Sequence, residues 1–151
     1  MFERTFVAGW GDMDFNSHMA NTAYLDRAAD VRMLYFAKNG FPMAEFYRLR
    51  VGPVILRDEL EYYREVGLLD EFRVTLEMAE LSADGSRFVI QNTLLRPDGK
   101  LIARIRSKGG WLSLEERKLV APPDALLRAL QNCSRTEDFK EVPSALKKAN
   151  I

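Results

Sequence analysis

Apolar side chains repeat with two different periods along this chain, and the change of period falls between Trp10 and Asn21. Before it, Phe2, Phe6, Ala8 and Trp10 share one parity with Arg4, while Glu3, Thr5 and Val7 take the other. That alternation predicts a short strand. After it, Tyr24, Leu25, Ala28, Val31, Tyr35 and Phe36 cover a wide helical arc, and Asp26, Arg27 and Asp30 crowd a narrower polar one. The spacing predicts a helix from about Asn21 or Thr22 to Lys38. Asn39-Gly40 supplies a left-handed stop and Pro42 blocks continuation. Ala28 and Ala29 are small enough for a sheet to approach closely. Arg32 falls inside the apolar arc and needs a partner if it is buried there. A helix of this kind is expected inside a wrapped sheet.

Beyond Pro53 the period returns to two. Val54, Leu56, Leu60 and Tyr62 alternate with Ile55, Arg57, Glu59 and Glu61, predicting a strand, although Glu59–Val66 also reads as helix. Phe72, Val74, Leu76 and Met78 against Arg73, Thr75 and Glu77 form a clearer strand. Asp84-Gly85 and Pro97-Asp98-Gly99 are turn sequences that separate strands around Arg87–Leu95 and Leu101–Leu114. Gly109-Gly110 marks a bulge or a close backbone approach in the last of these. Ala121-Pro122-Pro123 ends the sheet, and Asp124–Gln131 can form a short helix. The pattern is therefore α+β: one strand, one long helix, then four mostly antiparallel strands. Residues 1–131 form one domain in this reading. Residues 132–151 lack a sustained period and are expected to dock as a short helix or to fray.

Composition narrows the setting. With 151 residues, 47% of them hydrophobic and 29% charged, the chain can bury a core of its own. Its 22 basic and 22 acidic side chains balance, so no broad electrostatic footprint for nucleic acid exists. A single cysteine, Cys133, rules out an intrachain disulfide and a cysteine-based metal cluster. No apolar run approaches a membrane span, and the amino end lacks a basic-then-hydrophobic export pattern. A cytoplasmic protein that spans no membrane is the expectation.

The change of period is also where chemistry concentrates, in Gly11–Tyr24. It holds the only histidine, His18, together with Asp12, Asp14 and an Asn21-Thr22 helix start. One reading gives Asp12 and Asp14 no task beyond satisfying backbone donors before the helix. The functional reading notes that the Asn21 backbone N–H belongs to the unpaired set at a helix start, suited to an acyl oxygen that gains negative charge. Asp14 can then face the same carbonyl carbon or hold a water beside it. His18 is open to use as a base or as an organiser of the loop, and Tyr24 as core or as pocket wall. A metal is poorly supported because no second histidine or cysteine stands nearby. Arg104, Arg106 and Lys108 share one parity of the last strand; they suit phosphate contacts or a solvated face equally well. The glycines do not reproduce a dinucleotide-binding fingerprint, and no phosphate loop is present.

Trp10-Gly11-Asp12-Met13-Asp14, followed by His18, Asn21 and Tyr24, resembles the hotdog-fold acyl-CoA thioesterases, in particular the 4-hydroxybenzoyl-CoA thioesterase-like branch. Asp58–Tyr63, the Asp98-Gly99-Lys100 turn and Leu101–Arg106 extend the resemblance through about Ala121. It implies a curved five-stranded antiparallel sheet wrapped around the long helix, a homodimer paired edge to edge or a higher homo-oligomer, and an active site at the subunit interface. It further implies hydrolysis of an acyl-CoA without a cofactor, with the family aspartate on Asp14 and the helix-start amide on Asn21. His18 and Tyr24 match positions seen in part of the family. Arg104, Arg106 and Lys108 are candidates for the coenzyme phosphates. Ala29-Asp30 departs from the Glu-Glu of many relatives. A hydratase or dehydratase acting on thioester-linked chains, and a non-catalytic acyl-thioester binder, are the alternatives.

Overall fold

The computed structural model describes residues 1–146. β1 (Phe2–Val7) leads through a short 3-10 turn at Trp10–Asp12 into α1 (Asn21–Lys38) and then α2 (Met43–Leu49). β2 (Val51–Tyr62), β3 (Glu71–Ser82), β4 (Phe88–Leu95) and β5 (Leu101–Ser113) follow, then β6 (Lys118–Val120), α3 (Asp124–Asn132) and β7 (Arg135–Val142). The sheet runs β1-β3-β4-β5-β2, with every neighbouring pair in that path antiparallel. The predicted α+β architecture is present, a curved sheet packed on the long helix α1. This is the hotdog fold. Among the described residues no helix is long and apolar enough to cross a membrane.

α1 begins and ends where its sequence requires. Ala20, in extended conformation, precedes Asn21, and Gly40 at φ 89° turns the chain away after Asn39. Ala28 and Val31 are fully buried, and the small Ala28 leaves room for the sheet. Behind them Phe72, Val74, Leu94, Ile102 and Ile105 fill the core. Burying a side chain of this size is worth about 1.5–3 kcal/mol, so the helix is held by packing more than by its own propensity. Trp111 closes one end of the core against Phe36, Phe46 and Phe88, and its indole N–H donates to Gly85 O at 3.1 Å.

Three departures from the sequence reading matter. First, β2 does not alternate throughout. Ile55 pairs Gly109 and Arg57 pairs Lys108, so Leu56 is a bulge residue. Beyond the bulge, Leu56 and Arg57 both line outer-face cavities, whereas Ile55 faces the space beside α1 with Phe36 and Trp111. The glycine pair opposite allows this: a Cβ on Gly109 would stand 2.3 Å from Val54 O and 2.9 Å from Phe88. The glycines thus mark a close approach, and the bulge sits on the facing strand.

Second, Arg135–Val142 neither forms a helix nor frays. It pairs parallel to β3 over Met78–Ser82. β1 covers that edge only from Glu71 to Leu76, so the remainder is a run of unpaired backbone groups that β7 satisfies. The segment itself carries little alternation, which is why its pattern did not announce a strand. Residues 147–151 of the proposed extension lie outside the described residues. Third, α2 and β6 had no counterpart in the sequence reading. α2 buries only Phe46, which packs on Phe41 with ring centroids 4.6 Å apart.

Candidate active site

The loop between the 3-10 turn and α1 is fixed by its own backbone. Asp14 N–H donates to His18 O at 2.8 Å, Ser17 N–H donates to Asp14 O at 3.2 Å, and Ser17 takes a left-handed φ of 65°. Met13 bridges Met19, and His18 bridges Gly67 of the β2–β3 connection. Met19 N–H on Val66 O, at 2.7 Å, fastens the loop to the sheet just before the helix begins. Ala20 N–H donates to Asp12 O at 2.7 Å, so the chain enters α1 at a set angle.

The two acids of the loop are treated differently. Asp12 accepts from Gly9 N–H at 2.9 Å and from Arg27 Nη2 on both oxygens, at 2.9 and 3.0 Å. Burial pushes its carboxyl up, but the Gly9 amide and the Arg27 guanidinium outweigh that and hold it below its ordinary value. It is a structural clamp between the loop and α1. Asp14 is exposed, and only its Oδ1 is engaged, by the N–H groups of Asn16 at 2.8 Å and His18 at 3.3 Å. Oδ2 has no partner among the described residues.

Asp14, His18, Asn21 and Tyr24 all line one open cavity of about 330 Å³, with Met19, Tyr62, Tyr63, Arg64 and Glu65. The Asn21 N–H, first in α1, has no acceptor among the described residues. Tyr62 donates its hydroxyl to Asn21 O at 3.0 Å and meets Tyr24 edge to face, with ring centroids 5.0 Å apart. Burial, then the neighbouring Tyr62, Glu65 and Asp14, raise the Tyr24 hydroxyl above its ordinary value, so it stays a neutral donor. His18 Nε2 lies 3.0 Å from Glu65 Oε2. A helix-start donor and a carboxylate with a free oxygen thus share a small polar cavity. That combination is suited to stabilising an oxyanion while activating water.

Arg104, Arg106 and Lys108 are not part of this cavity. Ser107 between them hydrogen-bonds Arg32 of α1, so strand alternation turns the three cations to the opposite face of the sheet. Arg106 is taken up by Gln91 at 2.8 Å and by both oxygens of Asp138 at 2.9 and 2.8 Å. Lys108 lines an outer-face cavity with Arg57, Glu59 and Arg87. Arg104 lies opposite Glu61 in β2, next to Tyr63 at the cavity rim.

Sequence reasoning missed Tyr62, Tyr63, Arg64 and Glu65. The only signal was a Tyr-Tyr pair inside a segment that also read as helix. Tyr62 is the last residue of β2 and Tyr63 follows it, so both rings reach the cavity where the strand ends.

The sequence matches the thioesterase-like superfamily over residues 8–130. The chain belongs to that superfamily. Solved structures agree in fold. A hypothetical protein from Staphylococcus aureus, in complex with CoA, is 22% identical with a TM-score of 0.79, covering 89% of this chain and 87% of its own. A 1,4-dihydroxy-2-naphthoyl-CoA thioesterase from Synechocystis is 14% identical with a TM-score of 0.77, covering 87% and 96%. A probable thioesterase from Escherichia coli is 17% identical with a TM-score of 0.74, covering 89% and 100%. At such identities these likenesses speak for the fold, and the superfamily match for the family.

Proposed function

We propose that this protein is an acyl-CoA thioesterase, hydrolysing an acyl thioester to a carboxylic acid and free CoA. The observation that carries the proposal is the shared cavity of Asp14, with one carboxylate oxygen unengaged, and the Asn21 backbone amide at the start of α1. The Asn21 N–H receives the carbonyl oxygen as it gains charge. Asp14 draws the proton from a water that attacks the carbonyl carbon, or attacks that carbon itself and leaves an acyl intermediate for water to cleave. On either path the C–S bond breaks and the thiolate leaves, to be protonated as CoA thiol. His18, paired with Glu65, and the neutral Tyr24 hydroxyl line the wall and support positioning. The superfamily membership and the fold likeness to a protein solved with CoA support CoA as the thiol carrier.

Among the strand cations, Arg104 is our first candidate for a coenzyme phosphate because it stands nearest the rim; Arg106 and Lys108 follow. The proposal includes a homodimer. β2 is a 12-residue edge strand with Leu56 and Tyr62 exposed, the exposed Tyr63 follows it directly, and both tyrosines also line the cavity. A second copy paired along it closes the site. It also includes cytoplasmic residence, where the lone Cys133 stays reduced; recovery from cells in the membrane or secreted fraction contradicts that part.

The test is thiol release from a panel of short, medium, long and aromatic acyl-CoAs, with light scattering on the same micromolar sample. Release of CoA from a saturated substrate by a particle of at least two chains is expected. Hydration of an enoyl-CoA without thiol release, or full activity in a stable monomer, overturns the corresponding part.

A further inference from the structure

Arg27 and Asp12 tie the loop before α1 to the body of that helix, yet neither lines the cavity that holds Asp14 and Asn21. Besides the two Asp12 oxygens, the guanidinium reaches Asp30 Oδ2, to which Nη1 donates at 3.2 Å, and lies 5.6 Å from the Phe6 ring centroid. The pair is largely shielded, with the Arg27 side chain 28% exposed and that of Asp12 14%. Arg27 Nε is nonetheless buried without an acceptor among the described residues. An idle buried donor costs stability, and such local violations are expected where function sets the requirement.

The loop itself is a closed unit with two arms. Ala20 N–H on Asp12 O forms its base, the Met13–Met19 bridge comes next, and Asp14 N–H on His18 O lies nearer the tip. Asp14 stands on the first arm, and Asn21 follows the second as the first residue of α1. The second arm is fastened to the β2–β3 connection, through Met19 on Val66 and the His18–Gly67 bridge. The first arm is held through Asp12, by the Gly9 amide and by Arg27. Arg27 lies six residues beyond Asn21, about 9 Å along the helix at 1.5 Å rise per residue. A contact that far from the junction acts as a strut, resisting rotation of the loop against the helix better than one at the junction.

We propose that the Asp12–Arg27 pair is a positioning device for thioester hydrolysis, holding the Asp14 carboxylate at a working separation from the Asn21 N–H. The inference rests on the thioesterase reading. Neither residue lines the cavity, so its removal acts on the chemical step and not on binding. A displacement of about 1 Å in the groups that set a reacting geometry can cost on the order of 100-fold in rate.

Arg27→Ala is the direct test, with kcat and KM for thiol release measured on the folded variant. A fall in kcat of about tenfold or more, with KM within about twofold of the parent, is expected. Ethylguanidinium at millimolar concentration should restore part of that loss, and equal sodium chloride should not. Lost stability alone produces neither the kcat-only pattern well below the melting temperature nor the rescue. In the Asp14→Asn background the same substitution should add much less than its own factor, because the carboxylate it places is gone. Asp12→Asn keeps an oxygen for the Gly9 amide and carries the same kcat test if Arg27→Ala does not fold. Unchanged kcat, a loss confined to KM, or full multiplication with Asp14→Asn overturns this inference while the parent's own thiol release stands. A parent that releases no thiol from any acyl-CoA of the panel overturns the thioesterase reading, and this inference with it.

Discussion

Asp84 in the β3–β4 turn and Asp14 in the loop before α1 both accept backbone N–H groups, but only Asp14 keeps an oxygen unengaged. Asp84 Oδ1 takes the Ser86 amide at 3.0 Å and the hydroxyls of Ser82 and Ser86 at 2.8 and 2.6 Å, and Oδ2 takes the Ser144 hydroxyl. Burial pushes the Asp84 carboxyl up, yet the hydroxyls of Ser144 and Ser86, the Ser86 amide and the Ser82 hydroxyl together hold it far below 3.8. Oδ1 is spent on the turn itself, and Oδ2 ties the turn to Ser144 of the C-terminal segment. Asp14 spends Oδ1 on the loop and offers Oδ2 to a cavity. The residue type is shared and so is the turn setting. What separates a structural from a chemical carboxylate here is how many hydroxyls and guanidinium groups stand within reach.

The comparison breaks most sharply at Asp14. Asp14→Asn keeps an oxygen for the loop amides and removes the charge, so folding should survive while turnover falls by at least about 100-fold, the lower scale of a positioned acid–base group. Thiol release and circular dichroism on the same preparation check this. Undiminished hydrolysis by the folded variant removes Asp14 from the chemistry.

Asp84→Asn should do the opposite, lowering stability by about 1.5–3 kcal/mol, the scale for hydrogen bonds to a charged group, while leaving turnover near its original value. The sign with pH follows from a depressed folded-state carboxyl. Its contribution is fully present above the unfolded value near 3.8 and is lost as pH falls below it. Urea unfolding of both proteins at pH 7 and pH 3 should therefore show a gap that narrows at the lower pH. A constant gap contradicts the assignment.

The smallest effect is expected at His18. Its backbone amide, not its imidazole, holds Asp14 Oδ1, and its ring is paired with the exposed Glu65. His18→Gln should cost less than about tenfold in turnover, below the scale of a general base, with an unchanged pH profile. A loss as large as that of Asp14→Asn makes the imidazole the base.

Periodicity located β1, α1 and β3 because burial against a neighbouring layer writes its period into the sequence, and turn residues marked the segments that became β4 and β5. The Asp-Gly turns were legible for a related reason, since Gly85 and Gly99 take φ of 74° and 86°, where few other residues fit. Asp14, His18, Asn21 and Tyr24 could be singled out because they lie within fourteen consecutive residues that the backbone itself folds together. Nothing local could say that Arg27 would clamp Asp12 and leave Asp14 uncommitted, because that choice depends on the side of α1 that meets the loop. The bulge at Leu56, the β7 pairing and the far-face placement of Arg104, Arg106 and Lys108 were likewise decided by strand partners distant in sequence. Register is a property of a pair of strands, and one inserted residue reverses which face a side chain takes. The chain's own pattern set which segments would be buried; only tertiary contact decided which polar groups inside that frame were left with a donor or an acceptor to spare.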